Sequence, residues 1–204
     1  YSEDRVLHVD VTGNVSAMAT ADYHADACDT ELLTPMPYTR VNIGSNIVYA
    51  NVDGNFIIPN AGTTDVTVNS PLIGKYFTID NLGGTTSSLS MTVTPPGPAN
   101  FVHNQSGTEF TTSEVNVYIQ ANVARAAVVA ANPAFPTIAG QLAFPAYVNI
   151  NDDCNAYYDY SSINFFRAAG TCNNTGFDDV VHHEYGHHVV YVAGSGQGQY
   201  GEGF

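Results

Sequence analysis

Cationic side chains are nearly missing from this 204-residue chain: Lys75 and four arginines stand against nineteen aspartates and glutamates, for a formal net charge of -14. A field of that sign repels phosphate backbones and anionic headgroups, so neither nucleic acid nor an acidic membrane is an expected partner. It suits solubility in salt or the binding of Ca²⁺. Long apolar runs are missing too. None approaches the roughly 20 residues that span a bilayer, so no transmembrane segment is expected. The chain opens at Tyr1 without the basic, apolar start of a secretion signal and reads as a mature or trimmed chain. Cysteine is sparse: Cys28, Cys154 and Cys172 are too few for a disulfide scaffold. Cys154 and Cys172 bracket a polar, aromatic loop, a spacing that fits either a bridge or two reduced thiols. With the acidic, Asn/Thr/Gly-rich composition, the expectation is a disulfide between them and a secreted, extracellular setting, with Cys28 left over. Glycosylation triplets begin at Asn14, Asn104 and Asn173, but such triplets arise easily by chance.

Apolar residues are plentiful, at 44% of the chain, and can fill a sizeable core. Short β-rich runs at 5–11, 41–52, 55–59, 65–68, 76–79 and 88–93, separated by Gly, Asn, Asp and Pro, predict strands at the spacing of a β-sandwich. Asp53-Gly54, between Ile47-Val48-Tyr49 and Phe56-Ile57-Ile58, predicts a two-residue hairpin, because a type I′ turn wants positive φ at both central positions. Pro95-Pro96-Gly97-Pro98 removes ladder donors and predicts the end of the β region, hence one domain at 1–98 and a second at 99–204. Beyond it the period changes. Val115, Tyr118, Ile119, Asn122, Ala126 and Val129 share a helical face, and Thr111 with Glu114 reads as a capping box, predicting a helix over 113–131. Residues 146–150 and 162–166 read as strands around an irregular turn, and Asp178 is placed to cap a helix over 180–193. The expected class is α+β, with an N-terminal β-sandwich followed by a lobe built on that last helix.

The last helix carries His183-Glu184-Tyr185-Gly186-His187. Histidines at i and i+4 project from one face about one turn apart, which suits a single Zn²⁺, and the intervening glutamate falls beside the metal rather than on it. His183 and His187 are therefore candidate ligands, and Glu184 is the candidate general base that takes a proton from the attacking water. Val180, Val181, Val189, Val190 and Val192 make the helix apolar beyond its motif and predict burial. Gly186 is unfavourable inside a helix and predicts close approach by a neighbouring element. His182 and His188 point elsewhere and read as surface or supporting histidines. A catalytic zinc needs a third protein ligand. The metzincin pattern fails, since Val190 and Ala193 occupy the places of its glycine and third histidine. No Asp follows Asp179, and Glu202 is the only acidic residue after Glu184, so elimination leaves Glu202.

These stretches resemble the thermolysin-like gluzincin metallopeptidases, and within them the fungalysin-like group with its bacterial relatives. The matching residues are Asp179-Val180-Val181-His182-His183-Glu184-Tyr185-Gly186-His187, then Gly201-Glu202-Gly203-Phe204, then Asn155-Ala156-Tyr157-Tyr158-Asp159. All lie between Asn155 and Phe204, with a looser likeness reaching back to Ser113. The resemblance implies His183, His187 and Glu202 as zinc ligands and Glu184 as catalytic base. It implies that Asn155, Ala156 and Tyr157 belong to an edge segment that binds substrate backbone by strand addition. Asp179 resembles a position that binds Ca²⁺ in some relatives, although one carboxylate is not a calcium site. Such enzymes continue into a second, mainly helical lobe, and carry an acidic residue after the third-ligand segment that orients a zinc histidine. Here the sequence stops at Phe204, so the chain reads as the N-terminal part of a longer protease.

The leading expectation is a secreted zinc endopeptidase acting on peptide or protein substrates. The alternative is an extracellular structural or assembly protein, a homo-oligomer or filament built on an inactive peptidase-like scaffold.

Overall fold

The computed structural model describes residues 9–20 and 30–194. In chain order the strands are β1 (Val11–Thr20), β2 (Glu31–Pro35), β3 (Arg40–Ile43), β4 (Asn46–Tyr49), β5 (Asn55–Ile58), β6 (Val66–Pro71), β7 (Phe77–Asn81), β8 (Ser88–Val93) and β9 (Ala99–His103). Helices α1 (Glu109–Ala131) and α2 (Pro136–Ala139) follow, then β10 (Phe144–Ile150), β11 (Ala156–Tyr158), β12 (Ile163–Phe166) and α3 (Asp178–Val192). This is a mixed, sheet-rich α+β chain. Among the described residues no helix is long and apolar enough to cross a membrane.

Among the described residues the strands form three four-stranded sheets. In the first, β9 lies parallel along one edge of β1, while β5 and then β2 pair antiparallel along the other. Gly13 makes this approach possible, because a Cβ there would sit 1.9 Å from the Ala99 carbonyl oxygen. The second sheet runs β11-β12-β10-β7, with β10 parallel to both its neighbours and β11 antiparallel at the edge. The third runs β4-β3-β6-β8.

Several expectations are corrected by this topology. The predicted 41–52 strand is the β3–β4 hairpin, which turns at Gly44 and Ser45 with Gly44 at φ 54°. The Asp53-Gly54 hairpin does not form: β4 and β5 leave the 51–55 turn for different sheets. That turn is tight nonetheless. The Asn51 side-chain oxygen accepts from the Asp53 and Asn55 amides, and Gly54, at φ 77°, packs so closely on β1 that a Cβ would meet the Val15 carbonyl oxygen at 2.2 Å. Of the two positive φ values a type I′ turn needs, only that of Gly54 is present, and pairing is decided by which sheet offers a buried face. Nor does the proline run end the β region, since β9 begins at Ala99. Strand pairing and packing cross the position after Pro98. β7 pairs β10, β9 pairs β1, and one buried cluster joins Phe56, Phe77 and Leu72 to Tyr118, Phe165 and Tyr185.

Helix α1 starts earlier than predicted, because Thr108 and Thr111 form the capping box. Glu114 is instead fully buried, accepting from the Asn81 side chain and the Ser87 amide. Burial raises its carboxyl above the ordinary carboxylate range, against those hydrogen bonds. A chain of buried amides continues from there, Asn149 to Asn81 and Asn174 to Asn149, tying β7, β10 and the approach to α3 together. Helix α3 packs against α1, β11 and β12. Its N-cap is Phe177, with Asp178 and Asp179 in the first turn, so Asp178 favours the helix through its dipole rather than as a cap.

Candidate metal centre and cleft

The inward stripe of α3 is Val181, Glu184, Tyr185 and His188, all buried, and it anchors the helix. Tyr185 packs edge-on against Phe77 and Phe144, with ring centroids 5.4 and 6.4 Å away, and donates its hydroxyl to the Gln141 side chain at 2.7 Å. With that face fixed, His183 and His187 emerge half-buried on the adjoining face. Their rings are perpendicular, and their Nε2 atoms lie 2.8 Å apart. His183, Glu184 and His187 form the group of side chains able to hold a metal ion among the described residues, with ligand atoms all within 4.8 Å of one another. Two imidazole nitrogens on a tetrahedral ion at about 2.0–2.1 Å stand roughly 3.3 Å apart, so a small rotation of either ring suffices. Two imidazoles with a carboxylate are a donor set that suits zinc.

This wall faces a cleft of about 470 Å³. Its opposite side is β11 with its flanking turns, so Asn155, Ala156 and Tyr157 face the same space as His183, Glu184 and His187. No family model and no curated protein matches this chain. The site is therefore argued from its geometry.

Within β11, the Asn155 carbonyl accepts from the Phe166 amide and the Asp159 amide donates to the Ser162 carbonyl, both toward β12. Antiparallel alternation then directs the backbone groups of Ala156 and Tyr158 to the outer edge, and those of Tyr157 inward. The sequence expectation takes Asn155, Ala156 and Tyr157 as the substrate-binding residues and stops short of Tyr158. Tyr158 also contacts His188, whose Nδ1 lies 3.1 Å from its hydroxyl. Burial lowers the His188 pKa to about 4, so this imidazole is neutral. Desolvation pushes the Tyr158 phenol up to about 12, helped by Tyr191, Asp159 and Tyr160. Asp159 lies below the usual range: burial works to raise it, but Ser161 and Ser162 donate to its carboxylate and prevail. The legible signal for Tyr191 was its spacing, four residues beyond His187 and eight beyond His183, on the same helical face.

Cys154 and Cys172 are joined by a disulfide, which closes the loop carrying β11 and β12. Asp179 is exposed in the first turn of α3. Gly186 departs from expectation, since a Cβ there would meet no described atom within 4 Å. His182 is exposed, as expected, while His188 is buried. Glu202 and Cys28 lie outside the described residues.

Proposed function

We infer that this chain is the metal-binding part of a secreted zinc endopeptidase. One observation carries the reading: two imidazoles with facing Nε2 atoms share a cleft with the edge of β11. When bound, zinc polarises a peptide carbonyl and brings the pKa of water toward about 7. His183 and His187 would hold it, and Glu202, outside the described residues, would be the third ligand. Glu184, 5% exposed and inside the same cluster, takes the proton of the attacking water on its carboxylate and returns it to the leaving amine. The outer edge of β11 aligns the substrate backbone by strand addition. In this reading residues 99–204 carry a zincin-like lobe whose sheet takes in β7, the remaining N-terminal strands serve as an accessory β-sandwich, and the disulfide supports an extracellular setting.

The test is metal content together with peptide hydrolysis. Wild-type protein is expected to carry about one zinc per chain and to cleave unstructured peptides. Glu184→Gln should keep the zinc and lose hydrolysis by about 10²- to 10⁴-fold. A Glu184→Gln variant as active as wild type, or a chain without metal affinity, would reject the reading and leave the assembly alternative.

A further inference from the structure

One end of the cleft is built of tyrosine. Tyr158, Tyr160 and Tyr191 form a trio with centroid separations of 5.6 Å, 6.1 Å and 4.8 Å. Tyr160 is 69% exposed and Tyr191 53%, and Tyr160 shares the cleft lining with His183 and His187. Tyr160 occupies the turn between β11 and β12 at φ 73°, in the left-handed region. That region favours Gly or Asn, and a bulky aromatic there is an outlier. Such strain persists where the side chain has a use. Here it holds the ring at the cleft, which Tyr160 and Tyr158 both line.

The charge around the trio has one sign. Asp159 adjoins two of the tyrosines in sequence, and its carboxylate is fixed by three donors from Ser161 and Ser162. Glu184 is the carboxylate that lines the cleft, Asp159 belongs to the turn that carries Tyr160, no Lys or Arg is among the lining residues, and the whole chain carries a formal charge of -14. Electron-rich ring faces beside a fixed carboxylate are the surroundings that attract an ammonium or guanidinium group. A neutral aromatic or aliphatic side chain would gain from the rings but nothing from Asp159.

We propose that Tyr158, Tyr160, Tyr191 and Asp159 form a subsite for a basic side chain, Lys or Arg, of a peptide lying along β11. This rests on the endopeptidase reading for the identity of the ligand as a peptide. The subsite selects substrates rather than taking part in bond cleavage.

The test is binding, so that it stands apart from turnover. Fluorescein-labelled peptides, identical except for Arg, Lys, Gln, Leu or Phe at one position scanned along the sequence, are titrated into the full-length Glu184→Gln protein and followed by anisotropy. At one position Arg and Lys should bind about fivefold tighter than Gln, the scale of one exposed cation–π contact. Tyr160→Asn relieves the turn, so the protein stays folded, and it should abolish most of that preference; Tyr191→Ala should reduce it. Equal binding of Arg and Gln peptides, a preference for Leu or Phe, a preference that survives both substitutions, or no binding by any peptide would each overturn the proposal. Peptide cleavage by wild type with no basic preference rejects the subsite alone. A basic preference in binding, with no zinc and no cleavage, rejects the protease alone.

Discussion

His103 is fully buried, with Ser70 Oγ 3.2 Å from Nε2 and Ser87 Oγ 2.8 Å from Nδ1, whereas His183 and His187 are half-buried on a cleft wall and turn their Nε2 atoms toward each other at 2.8 Å. Each nitrogen of His103 has a hydroxyl partner, and desolvation lowers its pKa to about 4, so it works as a neutral polar strut between β6, β9 and the loop before β8. The cleft pair meets solvent, a buried carboxylate and a strand edge. What differs is the setting of the rings. A ring enclosed by its own hydroxyl partners is committed to the fold, while two rings converging at an open surface can share a third atom.

The largest effect that would sharpen this contrast is at the cleft. His187→Ala should abolish stoichiometric zinc binding, and with it the hydrolysis for which Glu184→Gln already predicts a loss equivalent to about 3 to 5 kcal/mol of barrier. Mass spectrometry of the metal-loaded protein and circular dichroism check that metal is lost while the fold remains.

Next is acid stability at His103. Because its folded pKa of about 4 lies below the ordinary 6.5, the unfolded chain takes up the proton first. Its contribution is full above pH 6.5 and is lost as the pH falls toward 4, on the order of 3 kcal/mol in all. Glu114, shifted upward, opposes this, favouring the folded state as the pH falls through its range. Urea denaturation of metal-free protein from pH 7 to 4 should therefore show a declining midpoint, and His103→Asn should start lower and decline less. An unchanged slope in that variant would remove His103 from the explanation.

A smaller effect separates the two regions by their covalent support. Replacing Cys154 and Cys172 together by Ser frees a loop with a sequence separation of 18 and should cost about 2 to 3 kcal/mol. Amide exchange should quicken at β11 and β12 before it does at β6 and β9. Smallest is Gly186→Ala, expected to stabilise α3 by about 0.5 to 1 kcal/mol, because the helix gains a better former and no described atom stands in the way. A loss of melting temperature in that variant would mean that something closes over the helix at this point.

The helix with the two-histidine motif was readable because its evidence is local. Two histidines one turn apart need only the helical repeat to converge, and the Asn155-Ala156-Tyr157-Tyr158 segment took its place beside them. The N-terminal half was harder. Strands such as β8 carried their own pattern, but β1 is a run of small and polar residues whose burial comes from β9, β5 and β2 arriving on both edges. Glu114 illustrates the same limit. Its spacing from Thr111 suggested a cap, and only the approach of Asn81 and Ser87 from 33 and 27 residues away made it a buried acceptor.

From its residues alone this chain could be known as mixed α and β, strongly acidic, and equipped with a two-histidine, one-glutamate motif on a late helix, since composition and helical spacing are properties of neighbours. The folded chain decided that β4 and β5 part company, that β7 joins the sheet of β10 and β12, that Tyr160 meets Tyr191, and that Tyr160 lines one cleft with His183 and His187. Those outcomes depend on long-range pairing and on which faces can be buried together, a competition among distant segments that no local window contains.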